Sequence, residues 1–181
     1  MKHPPKPFDA VSEGVRLLQL GRLRKHPMST YNLGVFLFNN GQPGRGTELI
    51  LDAAEMGLPR AMSKAGTLLV RNDPARAARY LRAAADAGDA QACYNYARLC
   101  EDGKGVPKDP ATAIRFFRAA ADAGLGAALL KLARMYLSGS GVPLDRTRGM
   151  EFLVEAANKG VPEAAEELAR ITHRSPSSCG K

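Results

Sequence analysis

The sequence predicts an all-α protein: an α-α superhelix, a right-handed solenoid of stacked antiparallel helix pairs with about ten helices. Three observations lead there. Gly88, Gly124 and Gly160 recur every 36 residues, and each follows an alanine pair, Ala84-Ala85, Ala120-Ala121 or Ala156-Ala157. Aromatic content is 6% with no Trp, and alanine is abundant, a balance that favours close-packed helices over sheets. Two apolar stretches at helical spacing, Ala90–Glu101 and Pro110–Ala123, flank the turn-rich segment Gly103–Asp109, which is the pattern of a helical hairpin.

Taken in order, residues 1–27 form a basic N-terminal segment in which Phe8–Arg24 reads as a capping helix. Four hairpins follow over 28–57, 58–88, 89–124 and 125–160. The first two keep the Ala-Ala-x2-Gly ending but have shorter connections. Residues 161–173 read as a C-terminal capping helix, the first helix of an unfinished repeat, and 174–181 as a flexible tail. The same register aligns Ala61, Ala92, Ala128 and Ala164, then the small residues Gly66, Ala97, Ala133 and Ala169, then Tyr80, Phe116 and Phe152. Small residues on the first helix admit the second closely, and the aromatic residue is expected to fill the space between hairpins. Asp109 is placed to cap the second helix, with Pro110 at its first position where an amide proton would have no partner; Asp73-Pro74 repeats the arrangement. The glycines after each alanine pair suit a left-handed helix end.

The run Ala128-x3-Leu132-Ala133-x2-Tyr136-x2-Gly139-x-Gly141-Val142-x2-Asp145, with Phe152, Ala156-Ala157 and Gly160 after it, resembles the Sel-one-like repeat, a relative of the tetratricopeptide repeat. Ala92–Gly124 is a second match. The resemblance implies a concave groove lined by the first helix of each hairpin, and a family that mostly supplies adaptors and regulators. Some secreted members carry a cysteine pair in each repeat and are linked to β-lactam binding. Here Cys93 stands at one such position, but Ala84 and Ala85 stand where its partner would lie. An enzyme of that β-lactam-binding type is the alternative the resemblance leaves.

Six residues beyond each aligned alanine stand Thr67, Arg98, Arg134 and Arg170, so three successive units present an arginine in one orientation. With Tyr94, Leu130, Leu137, Tyr31 and Phe38, and with Val35, Ser63 and Val70 beside them, these are the expected partner-binding groove. Guanidinium groups bind carboxylates through paired hydrogen bonds and the apolar residues act as anchors, so the expected partner is a protein or peptide of acidic character. The competing expectation is that Glu101, Asp102 or Glu166 neutralises the ladder internally. Arg79, Arg82, Arg115 and Arg118 form a second series on the outer helices, the pairs Arg82/Asp86 and Arg118/Asp122 being spaced for intrahelical bridges.

No catalytic constellation is legible. His3, His26 and His173 are scattered, and Gly103-x-Gly105 and Gly139-x-Gly141 follow no strand and lead to no nucleotide loop. Catalytic residues, cofactor and metal are all read as none. Cys93 and Cys100 lie about 10 Å apart along one helix, too far to bridge each other, and Cys179 is an odd thiol in the Ser-rich tail. Apolar runs such as Ala127–Leu130 fall far short of the roughly 20 residues of a membrane span, and the basic N-terminus lacks the apolar core of a signal peptide. The expected setting is cytoplasmic. The net charge of +8 keeps a nucleic-acid or membrane-surface role as a further alternative, disfavoured because no aromatic platform interleaves with the basic residues.

Overall fold

A computed structural model describes residues 26–173 together with Leu20; the expected helix Phe8–Arg24 and the tail with Cys179 lie outside the described residues. Nine helices are described: α1 Pro27–Asn39, α2 Pro43–Glu55, α3 Pro59–Leu69, α4 Pro74–Asp86, α5 Ala90–Asp102, α6 Pro110–Asp122, α7 Gly126–Ser138, α8 Arg146–Asn158 and α9 Pro162–His173. They pair as α1/α2, α3/α4, α5/α6 and α7/α8, and α9 packs on α8 as a lone inner helix. The all-helical solenoid of stacked hairpins is therefore what the sequence predicts.

Local chemistry explains the boundaries. Six helices begin with proline, where the missing amide proton costs nothing. Asp73, Asp109 and Asp145 each accept a backbone hydrogen bond at 3.0 Å from the third residue on, capping α4, α6 and α8. Asp89 caps an inner helix, α5, by accepting from Ala92 N at 2.7 Å. Gly57, Gly88, Gly124 and Gly160 all have φ between 78° and 87°, the left-handed turn that ends each outer helix and that a Cβ would strain. In the two longer loops the closing bonds repeat, Asp109 N donating to Cys100 O and Asp145 N to Tyr136 O.

Small residues bring the helices of each hairpin together. The aligned Ala61, Ala92, Ala128 and Ala164 are wholly buried, as are Ala97 and Ala133. A Cβ on Gly66 would lie 2.5 Å from Leu81 Cγ. In the first hairpin Gly34 and Gly46 face each other across α1 and α2, where a Cβ on Gly46 would stand 2.5 Å from Phe38 N. The core continues along the axis through Ile50, Leu81, Phe117, Leu129, Leu132 and Leu153, all inaccessible or nearly so.

In the aromatic series Tyr80 packs between hairpins as expected, against Ile50, Ala53 and Ala54 of the first, whereas the other two behave differently. Phe116 packs edge-on against Tyr96, with centroids 4.9 Å apart, and Phe152 stacks on Tyr136 at 5.7 Å. Both pairs lie inside one hairpin. The gap between the second and third hairpins is spanned by arginine instead: Arg82 of α4 lies over both Tyr96 and Phe116, 5.6 and 5.2 Å from their centroids.

Candidate partner-binding face

The inner helices α3, α5, α7 and α9 are related by one register. The residue six beyond the aligned alanine in one unit meets the residue three beyond it in the next. Thr67 Oγ1 accepts from Asn95 Nδ2 at 3.2 Å. Arg134 donates to Glu167 through two guanidinium nitrogens, its Nε at 2.7 Å, and Glu167 also stands 3.9 Å from Arg170 Nη2. Between these two closed rungs lies the pair Arg98 and Lys131, two cations that cannot satisfy each other. Lys131 turns away and binds Glu101 Oε2 at 2.8 Å while lying over the Phe117 ring. Arg98 is exposed, and no acid among the described residues pairs with it.

The three arginines therefore differ. Arg134 and Arg170 converge on a single internal carboxylate, which is the neutralisation weighed from sequence, although the acid is Glu167 rather than Glu166. Glu101 serves Lys131, and Asp102 makes no ion pair among the described residues. The signal for Glu167 was in the sequence, in the series Lys64, Asn95, Lys131, Glu167 three residues beyond each alanine.

Among the described residues, clefts line this face on either side of α5 and α7. One, of about 390 Å³, has Thr67, Val70, Asn95 and Arg98 in its walls; another, of about 350 Å³, gathers Tyr94, Leu130 and Arg134 beside Val161 and Glu163 of the next unit. Tyr94 is held edge-on to Phe117 at 5.5 Å, and Leu130 is only 7% exposed, so it supplies a wall more than a protruding anchor. Phe38 is half-buried under Lys64, whose Nζ lies 5.5 Å from the ring, and Tyr31 and Val35 pack on the N-terminal core. Two sequence assignments need correction. Leu137 lies in the seam of its own hairpin, its Cγ 2.6 Å from where a Cβ on Gly149 would be, because the α7–α8 crossing turns it toward α8. Ser63 is 7% exposed and donates to Asp89 Oδ1 at 3.0 Å, so its hydroxyl is engaged within the fold.

The family model of the Sel1 repeat matches residues 53–89, 90–125 and 126–161, more than half of the chain. The chain belongs to the Sel1 repeat family. A sequence search of the curated proteins finds no match. Among solved structures, the Sel1 repeat protein from Oxalobacter formigenes is 26% identical, with a TM-score of 0.81 over 92% of this chain and 70% of the other. A protective antigen present in uropathogenic Escherichia coli strains, which displays the same repeat fold, is 24% identical at a TM-score of 0.79. That match covers 91% of this chain, which spans 37% of the antigen's length. An immunity protein from Pseudomonas aeruginosa, 20% identical, shares the fold at a TM-score of 0.57 over 91% of this chain and 63% of its own.

On the outer face of these Sel1 repeats, Arg82 and Arg118 of the basic series are engaged within the fold. Arg82 Nε bridges Asp86 at 2.9 and 3.0 Å, as its spacing predicts. Arg118 does not take Asp122; it donates to the Tyr136 hydroxyl of the following hairpin, the longer reach being open because Tyr136 stands where the preceding repeat has Cys100. Glu55 accepts from Tyr80 and from Arg76, the latter at 2.9 Å, and these two donors, Tyr80 foremost, hold its carboxyl below the ordinary range. Cys93 and Cys100 are free and buried, and burial pushes both thiols up. Among the described residues no group of three or more His, Cys, Asp or Glu side chains could hold a metal ion, and no helix is long and apolar enough to cross a membrane.

Proposed function

We propose that this chain is a non-enzymatic interaction scaffold or adaptor, and that the inner face of its Sel1 repeats holds a protein or peptide of acidic character. One observation carries the reading: Arg98 is an exposed guanidinium on the inner face without an acid among the described residues, while the equivalent Arg134 has one. An unpaired arginine beside apolar walls is suited to capturing a carboxylate from outside, because charge-assisted bonds add to apolar burial. The repeated, extended surface supports a macromolecular partner. A cytoplasmic setting belongs to the same reading, and the two free buried thiols are in keeping with it.

The test is affinity capture with the wild-type chain beside Arg98→Glu, with recovered proteins identified by mass spectrometry and the leading one titrated in purified form. Arg98 is exposed, so helicity should be unchanged while the partner is lost. Equal binding of the purified partner by both forms overturns the reading.

A further inference from the structure

The cleft around Arg98 is specific enough to name what it takes. It lies between α3 and α5, floored by Leu68, Val70 and the buried Leu99. Around that apolar floor stand three cations, Arg71, Arg98 and Lys104, against one acid, Asp102. All four are exposed, and none makes an ion pair within the described residues. Asp102 is one helical turn beyond Arg98, at the spacing of an intrahelical bridge, yet no bridge forms.

That Arg98 has no internal acid among the described residues is a product of the register. Each rung of the inner face joins the sixth residue of one unit to the third of the next. Two rungs are closed, Thr67 by Asn95 and Arg134 by Glu167. The middle rung has a cation at both places, so it stays open and Lys131 is drawn sideways to Glu101. We infer that the α3–α5 cleft, to which this open rung leaves Arg98 available, is a recognition subsite for an acidic peptide segment in which an Asp or Glu adjoins an aliphatic residue. The carboxylate pairs with Arg98, with Arg71 and Lys104 adding attraction, and the aliphatic side chain lies on Leu68 and Val70. The inference rests on the interaction-module reading and adds the chemistry of the bound segment.

The register also supplies the test. Lys131→Glu places a carboxylate where Glu167 stands in the next rung, closing the open rung from within and leaving Arg98 itself untouched. Random twelve-residue peptides displayed on phage are selected on the full chain, and the winners are measured by fluorescence anisotropy. Winners should carry an acid next to Leu, Val or Ile. Replacing that acid by its amide should weaken binding at least about tenfold, the loss of a charge-assisted pair. Lys131→Glu should do the same. Arg98→Gln, at an exposed position, gives a second measure should Lys131→Glu unfold. Glu167→Lys should open a second site at Arg134.

Winners that lack acids and bind Lys131→Glu and Arg98→Gln as tightly as wild type overturn the subsite and leave the module reading standing. Recovery of no peptide, together with salt-sensitive binding of a duplex oligonucleotide that persists in Arg98→Gln, overturns both. A phosphoserine in place of the acid that binds a hundredfold more tightly shows the cations to be a phosphate site and refutes the carboxylate assignment.

Discussion

Gly105 and Gly141 occupy the same place in successive repeats, with φ of 70° and 76°, so replacing either by alanine incurs the same left-handed strain of about 1–2 kcal/mol. Their surroundings differ. At Gly105 the new Cβ would stand 2.1 Å from the carbonyl oxygen of Pro74 and 2.2 Å from its carbon, where the α5–α6 loop seats on the start of α4. That neighbour is backbone, fixed by the Asp73 cap, and cannot step aside. At Gly141 the nearest atom is Met135 Cε at 3.3 Å, the free end of a flexible side chain. Gly141→Ala should therefore cost only the strain. Gly105→Ala should add an overpacking penalty of about 1–3 kcal/mol. Urea denaturation of the two variants measures the difference. Native-state hydrogen exchange locates it, because each repeat contacts only its neighbours and the loss should fall on α4, α5 and α6 while α8 and α9 keep their protection. Stabilities that agree within about 0.5 kcal/mol would show that the loop does not rest on α4 as described.

Asp89 both caps α5 and accepts from Ser63, so Asp89→Ala should lose about 1 kcal/mol of capping and a further 1–3 kcal/mol from the orphaned buried hydroxyl. Asp89→Asn, which keeps an acceptor, should recover most of the thermal midpoint. Glu55 is held below its ordinary range by Tyr80 and Arg76, so its contribution is present above the unfolded-state value and is lost as pH falls through the lower folded one. The difference in midpoint between wild type and Glu55→Gln should thus be full at pH 7 and shrink below about pH 4; a difference that instead grows in acid contradicts the contact. In a Cys179→Ser variant, a thiol-reactive dye should label neither Cys93 nor Cys100 until denaturant is added, since they are 4% and 2% exposed. Immediate native labelling would show that the core opens there.

The hairpins, their glycine ends and their aspartate caps were legible because each is set within a few residues. A positive φ selects glycine, and an exposed helix start selects a short acceptor. Gly34 and Gly46 carry no such local signal, since their role appears only where α1 and α2 cross. The offset of Leu137 alone points to the groove, whereas the angle between α7 and α8 turns it inward. The outer arginines show the same division. Arg82 makes the bridge its spacing predicts, whereas Arg118 reaches a tyrosine of the next hairpin.

The arginine ladder marks the boundary most sharply. Its existence follows from the sequence alone, because a residue recurring at one place in a repeat must recur at one place on the solenoid. Which arginine stays free does not follow from its own repeat. It depends on what the next hairpin brings across the rung, an amide for Thr67, a lysine for Arg98 and a glutamate for Arg134. Only stacking sets that juxtaposition, since charges from 33 residues apart interact only when packing brings them within a few ångströms.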